Sequence, residues 1–150
     1  MDEINGIRGA FLSNLKIIQS EKGEVRHFLR NDSDGFIGFG EAYFSIVNYK
    51  QIKGWKMHTK MTMNITVPVG EIKFYLLNDK DKSQGISDQI VSISISSTNY
   101  KRLTIKSGIW MAFEGIGRGK NILINLADIP HDPKESRNLS LYDEKFKNFK

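Results

Sequence analysis

The sequence predicts an all-β protein, and three observations lead to that prediction. Short apolar segments recur every 8–12 residues or so, with turn-forming residues between them, as in β-sandwiches, jelly rolls and barrels. Several of these segments alternate apolar and polar residues, which is the pattern of a strand with one buried face. No long segment has the period of an amphipathic helix. We therefore expect about nine or ten short strands and almost no helix.

The predicted strands are bounded by Gly, Pro, Asn, Asp and Ser residues. After an extended entry at 7–18, they cover 25–30, 39–49, 52–58, 61–69, 71–77, 90–96, 103–105, 110–114 and 121–126. Residues 71–77 are apolar on both faces, as expected of a buried strand. The glycine-rich residues 115–119 lie between two strands and are interpreted as a hairpin. Residues 78–88 read as a charged loop, and 139–149 as irregular chain or a short helix.

The stretch 52–70 carries the clearest division into two faces. Seven apolar residues share one parity: Trp55, Met57, Met61, Met63, Ile65, Val67 and Val69. Six polar residues share the other: Lys56, His58, Lys60, Thr62, Asn64 and Thr66. Period 2 predicts two strands, with a bend at Thr59 and Lys60. The polar face either meets solvent or lines the inside of a barrel, and the second alternative would make it a site.

Length and composition restrict the class of protein. The 150 residues suit one domain, 1–150, with a single core. The chain has no cysteine, which excludes disulfides and thiolate metal sites, and it has no apolar run long enough for a membrane span. The N-terminus lacks the pattern of a signal peptide, so we expect a cytoplasmic protein. The net charge of +5 favours an anionic partner, but the basic residues are spread along the chain, which is more typical of a solvated surface. Among anionic partners, a phosphate-bearing small molecule is favoured over nucleic acid.

Lys56 and His58 are the first candidates for chemistry. Two residues apart on one strand, their side chains lie about 6.6 Å apart along the same face. A barrel strand presents two groups to one cavity in this way, whereas an outward-facing strand would show them to solvent. No nucleophile triad, phosphate-binding loop or zinc spacing occurs in the sequence.

Five blocks in order resemble the dTDP-4-dehydrorhamnose 3,5-epimerase family, most closely its short branch. They are 39–45 (FGEAYFS), 52–58 (IKGWKMH), 70–72 with 78–79 (GEI and ND), 105–113 (IKSGIWMAF) and 129–135 (IPHDPKE). The resemblance covers about residues 4–143 and implies a cupin-type jelly-roll β-barrel. It also implies nucleotide-linked 4-keto-hexose substrates and products used in cell-surface polysaccharide, including lipopolysaccharide. A homodimer is implied as well, and the apolar Ile4, Ile7, Phe11 and Leu12 are expected to pair across its two-fold axis.

The chain departs from the family at the residues that carry its chemistry. Lys56 stands where the family has its catalytic histidine in a Gly-x-His block, and His58 matches the second histidine of the related sugar 3,4-ketoisomerases. The family's later histidine is replaced by Met111, and its tyrosine acid falls near His131. The resemblance thus makes Lys56, His58 and His131 the candidate catalytic residues. The candidate substrate-binding residues are Tyr43, Lys53, Asn64, Lys22 and Arg26.

The role of Lys56 has several alternatives. A neutral Lys56 could remove the proton beside the keto group, with His58 orienting it or the keto oxygen, while a charged Lys56 would bind the diphosphate or an enolate oxygen. The cupin metal ligands are reduced to His58, so we expect no metal and no cofactor. Two functions follow: a nucleotide-sugar epimerase or isomerase, or a non-catalytic cupin that binds a sugar nucleotide or a partner enzyme.

Overall fold

The computed structural model describes residues 1–79 and 89–149, and most of the predicted charged loop, 80–88, lies outside them. The strands are β1 Asp2–Glu3, β2 Ala10–Asn14, β3 Ile17–Ser20, β4 Gly23–Arg26, β5 Glu41–Val47, β6 Ile52–His58, β7 Met63–Val69, β8 Glu71–Asn78, β9 Val91–Ser96, β10 Lys101–Ile105, β11 Ile109–Gly115, β12 Asn121–Ala127 and β13 Ser136–Asn138. A 3₁₀ helix, Glu144–Phe146, is the helical element in the described ranges. The all-β prediction is confirmed. No helix in the described part of the chain has the length and apolar character needed to cross a membrane.

Two antiparallel sheets pack face to face, as expected of a jelly roll. One has the order β1-β2-β10-β7-β12-β5, and the other has β13-β6-β11-β8-β9, while β3 and β4 form a separate two-stranded ribbon. The alternation along each strand sends one set of apolar side chains between the sheets. Ile65, Val67 and Leu123 enter this core from the first sheet, and Phe74 and Leu76 enter it from the second.

The second sheet is also covered on its outer face, by the C-terminal segment. Trp55 stacks on Phe146 with ring centroids 4.1 Å apart. Phe149 makes T-shaped ring contacts with Trp55 and Tyr75. Trp110 contacts Phe146 in the same cluster. Because both faces of this sheet are buried, β8 is apolar on both faces, as the sequence indicates.

Two local predictions are wrong. Residues 115–119 do not form a hairpin, because β11 and β12 belong to different sheets and this segment carries the chain from one to the other. The Asn121 side chain holds it, accepting from the Gly117 N–H at 3.0 Å and donating to the Gly117 carbonyl at 2.8 Å. The apolar N-terminal residues have partners within the chain, since β2 pairs with β1 and β10 and the side chains of Ile4 and Ile7 lie in the core instead of at a two-fold axis. The predicted reason for a dimer through this segment is therefore lost.

Candidate active site

A cavity of about 550 Å³ opens between the two sheets. Its floor is apolar, built by Met61, Met63, Ile65, Met111, Phe113 and Leu123. Its walls carry polar side chains from both sheets: Glu41, Tyr43, Ser45, Lys53, Lys56, His58, Asn125, His131 and Asn138. A largely apolar pocket with a few convergent polar groups is the usual form of a small-molecule site.

An irregularity in β6 brings two lysines to this cavity. Lys56 pairs opposite Met111 and Lys53 opposite Phe113, so three residue steps on β6 correspond to two on β11. Strict alternation would turn Lys53 away from Lys56, whereas this bulge places both on the cavity face. Gly54 makes the close approach possible: its φ is +133°, and a Cβ there would lie 2.7 Å from the Cα of Ala112.

His58 ends β6 with its ring held by Glu135. The imidazole Nδ1 lies 2.6 Å from the Glu135 Oε1, and both side chains are buried. The other carboxylate oxygen accepts from the backbone N–H groups of Lys60 and Met61, each at 3.0 Å. Burial acts to raise the pKa of Glu135, but the hydrogen bonds from His58, Met61 and Lys60 outweigh it and hold that pKa below its usual value.

The ionised Glu135 determines which nitrogen of His58 is free. A carboxylate can only accept, so Nδ1 donates the hydrogen bond and carries the proton. In the neutral ring, Nε2 then keeps its lone pair, as in the histidine–carboxylate pairs of general bases. Of the two roles predicted for His58, the orientation of Lys56 is not observed, because the partner of the His58 ring is Glu135.

The two lysines supply positive charge to the same walls. Lys53 donates to the Ser45 hydroxyl at 3.2 Å, across from β6 to β5. The Lys56 side chain is half-buried, and it makes no hydrogen bond or ion pair with other residues in the described ranges. Both ammonium groups are thus placed to meet an anionic ligand in the cavity.

Tyr43 and Asn125 face the cavity from β5 and β12, where they are directly opposed. The Asn125 amide donates to the Tyr43 hydroxyl oxygen at 3.1 Å. The Asn125 Oδ1 is buried and has no hydrogen-bond partner among the described residues. His131 lies at the exposed rim of the cavity.

Three predicted site residues lie elsewhere. Asn64 is buried on the outer side of β7, where it donates to the Gly35 carbonyl at 3.0 Å and accepts from the Thr104 hydroxyl at 2.7 Å. The prediction that Asn64 shares the face of Lys56 and His58 is therefore wrong. Arg26 donates to the Ser97 carbonyl at 2.7 Å, and Lys22 lies in the exposed turn of the β3–β4 ribbon. Neither of them lines the cavity.

Sequence reasoning missed Glu135 and Asn125. Nothing in the local pattern distinguishes Glu135 from its charged neighbours, because its partner lies 77 residues earlier. Asn125 could have been found, since it alternates with the apolar Leu123 and Ala127 and so shares their inward parity. A polar residue at an inward position is a signal of a site or a buried network.

The donor atoms present do not suggest a metal centre. The described residues contain no group of three or more His, Asp or Glu side chains arranged to hold a metal ion. The expectation that the protein works without a metal stays a prediction.

Comparison with known proteins places this geometry in a family. A scan of protein-family models and a search of curated proteins find no match. Among solved structures, a dTDP-sugar isomerase from Desulfovibrio desulfuricans G20 is 35% identical, with a TM-score of 0.87 over 93% of this chain and 89% of that chain.

Two more distant structures share the fold. The 3'-monoepimerase ChmJ from Streptomyces bikiniensis, in complex with dTDP-quinovose, is 12% identical with a TM-score of 0.83 over 93% of this chain and 73% of that chain. A variant of the 3,4-ketoisomerase QdtA from Thermoanaerobacterium thermosaccharolyticum, in complex with TDP-4-keto-6-deoxyglucose, is 17% identical with a TM-score of 0.75 over 95% of this chain and 94% of that chain. Together with the identity to the dTDP-sugar isomerase, these likenesses confirm the resemblance in sequence and the cupin-type fold. The chain belongs to the dTDP-4-dehydrorhamnose 3,5-epimerase-related family of sugar-nucleotide epimerases and isomerases.

Proposed function

We propose that the protein is an epimerase or isomerase that removes a proton beside the keto group of a nucleotide-linked 4-keto-hexose, with a thymidine nucleotide as carrier. The observation that carries the proposal is the buried His58–Glu135 pair in the wall of the cavity. It provides a base with a fixed tautomer, which proton abstraction from carbon requires. The substrate class is taken from the similar dTDP-sugar isomerase and from ChmJ, which is seen in complex with dTDP-quinovose.

His58 is the base in this mechanism, and Lys56 is the cation. As Nε2 takes the proton, the electrons of the C–H bond form a carbon–carbon double bond and negative charge moves to the keto oxygen. An ammonium group in a cavity with an apolar floor stabilises that charge more strongly than it would in water. We assign Lys53, which is hydrogen-bonded to Ser45, to binding the diphosphate. His131, at the rim of the cavity, is assigned to returning a proton to the reacting carbon.

Deuterium exchange separates this assignment from its alternatives. We expect the wild-type protein to exchange the hydrogen beside the keto group of dTDP-4-keto-6-deoxyglucose in D₂O, as followed by NMR. His58→Asn should lower the exchange rate by about 10²–10⁴-fold, the usual contribution of a general base. Lys56→Met, a matched change on the same strand face, should lower it less and should also weaken nucleotide-sugar affinity.

The opposite result would reassign the base. If Lys56→Met abolishes exchange while His58→Asn retains it, Lys56 is the base and His58 is secondary. If the wild type binds the nucleotide sugar but never exchanges the hydrogen, the protein is the non-catalytic cupin instead. Use of the product in cell-surface polysaccharide and a cytoplasmic location remain predictions from the family and the sequence.

We also propose a homodimer, now through a different surface. The outer side of β5 exposes Phe44 and Ile46, which lie beside Ile124 and Ile122 of β12 on a sheet edge. Exposed apolar patches on an edge strand are typical of association surfaces. Sedimentation should give a dimer at micromolar concentration and a monomer for Phe44→Glu, and a monomeric wild type would contradict the proposal.

A further inference from the structure

Within the described ranges, the amide oxygen of Asn125 is unpaired at the wall of the cavity. The side chain is 1% exposed, yet it lines the cavity. Its Nδ2 donates to the Tyr43 oxygen at 3.1 Å, while its Oδ1 has no partner among the described residues. A buried polar atom without a hydrogen bond destabilises the fold unless a ligand supplies the missing partner.

The hydrogen bond from Asn125 also orients the phenol of Tyr43. A hydroxyl that accepts from a neighbouring amide keeps its own hydrogen available for another acceptor. The Tyr43 ring is half-exposed at the cavity and leaves room for a ligand beside the hydroxyl. The pair therefore offers one acceptor, the Asn125 Oδ1, and one donor, the Tyr43 O–H, on neighbouring strands.

We propose that Asn125 and Tyr43 form the recognition site for a ketone with a hydroxyl on the adjacent carbon. The substrate hydroxyl donates to the Asn125 Oδ1, and the Tyr43 O–H donates to the keto oxygen. This inference rests on the proposed function and extends it by naming two contacts in the same cavity. Tyr43 is then a catalytic residue, because its hydrogen bond strengthens as charge develops on the keto oxygen. Asn125 determines specificity for the hydroxyl.

The arrangement is consistent with the rest of the cavity. Tyr43 and Asn125 belong to the first sheet, while His58 and Lys56 belong to the second. A sugar ring between the sheets can therefore meet the base on one side and the donor–acceptor pair on the other. The base removes the proton from the carbon that bears the hydroxyl, which is the position next to the ketone.

Calorimetric titration tests the Asn125 contact through affinity rather than through the exchange rate. The probes are dTDP-4-keto-6-deoxyglucose and its 3-deoxy analogue, which lacks the hydroxyl beside the ketone. We expect the wild type to prefer the hydroxylated probe at least tenfold, because the analogue leaves the Asn125 Oδ1 unpaired. Asn125→Leu should reduce the preference below threefold, while Asn125→Asp, which keeps an acceptor oxygen, should retain it. Equal affinities of the wild type for both probes, or a preference unchanged in Asn125→Leu, would overturn the assignment.

Tyr43→Phe provides a second measurement that does not depend on the folding of a core variant. The half-exposed ring is retained, so we expect unchanged affinity for dTDP and a hydrogen-exchange rate about 10²-fold lower, the size typical of an oxyanion donor. An exchange rate within threefold of the wild type would remove Tyr43 from the mechanism. The two proposals fail separately: hydroxyl preference without exchange contradicts the enzyme, and exchange without hydroxyl preference contradicts the Asn125 contact.

Discussion

Strands β6 and β7 carry the same alternation of apolar and polar residues, yet they turn opposite faces to the interior. On β6, Lys56 and His58 face the cavity, and the apolar Trp55 faces outward under the C-terminal segment. On β7, the apolar Met63 faces the cavity, and the polar Asn64 faces outward. Period 2 defines two faces of a strand, but it does not say which of them is inside.

The difference arises from what covers each outer face. Behind β6 lies an apolar layer formed by Phe146 and its neighbours, so the outward residues of β6 can be apolar. Behind β7 lies the loop that contains Gly35, and its backbone carbonyls need donors such as the Asn64 amide. The same kind of polar residue therefore lines the cavity on one strand and holds a loop on the other.

The largest effect is expected from removing the cover of β6. Phe146→Ala deletes a fully buried ring that stacks on Trp55, so it should lower the free energy of unfolding by about 3–5 kcal/mol, measured by denaturant titration. Tyr142→Ala is the matched control, because Tyr142 lies in the same segment with 92% of its surface exposed. A loss below about 1 kcal/mol for Phe146→Ala would mean that β6 does not depend on this cover.

A second, smaller effect separates the two polar faces directly. Asn64→Ala leaves the Gly35 carbonyl and the Thr104 hydroxyl without their partner, so stability should fall by about 1–3 kcal/mol while nucleotide-sugar affinity is unchanged. Lys56→Met should show the reverse, with weaker affinity and a stability change within about 0.5 kcal/mol. Thermal unfolding and calorimetric titration of the two variants provide the four values. Weakened ligand binding by Asn64→Ala would restore Asn64 to the site.

The sequence predicts more of the fold than of the site, and the residues show why. Alternation and turn residues depend on near neighbours, so the strands and the bend at Thr59 and Lys60 are visible in the chain itself. The His58–Glu135 pair is formed by residues far apart in the chain, and it depends on the packing of the two sheets. The position of Lys53 depends on a bulge that alternation cannot show. The outward position of Asn64 depends on a loop that only the tertiary structure brings to β7.

A carboxylate holds the turn at which the chain passes from β6 to β7. Glu135 joins His58 at the end of β6 to the backbone N–H groups of Lys60 and Met61 in that turn. Because its pKa in the folded protein is lowered, the ionised carboxylate stabilises the fold above its usual pKa of 4.5, and this contribution is lost as the pH falls from there through the lowered pKa. In Glu135→Gln the amide cannot ionise, and its NH₂ group would face either the N–H of the His58 ring or the N–H groups of Lys60 and Met61, which are donors themselves. The difference in the free energy of unfolding between wild type and Glu135→Gln should therefore be constant near neutral pH and shrink below about pH 4.5. This pH-dependent change is the smallest of the expected effects.

Denaturant titrations at several pH values measure the change, with Glu144→Gln on the exposed surface as the control. A difference that stays constant down to pH 3 would show that the hydrogen bonds of Glu135 do not depend on its charge.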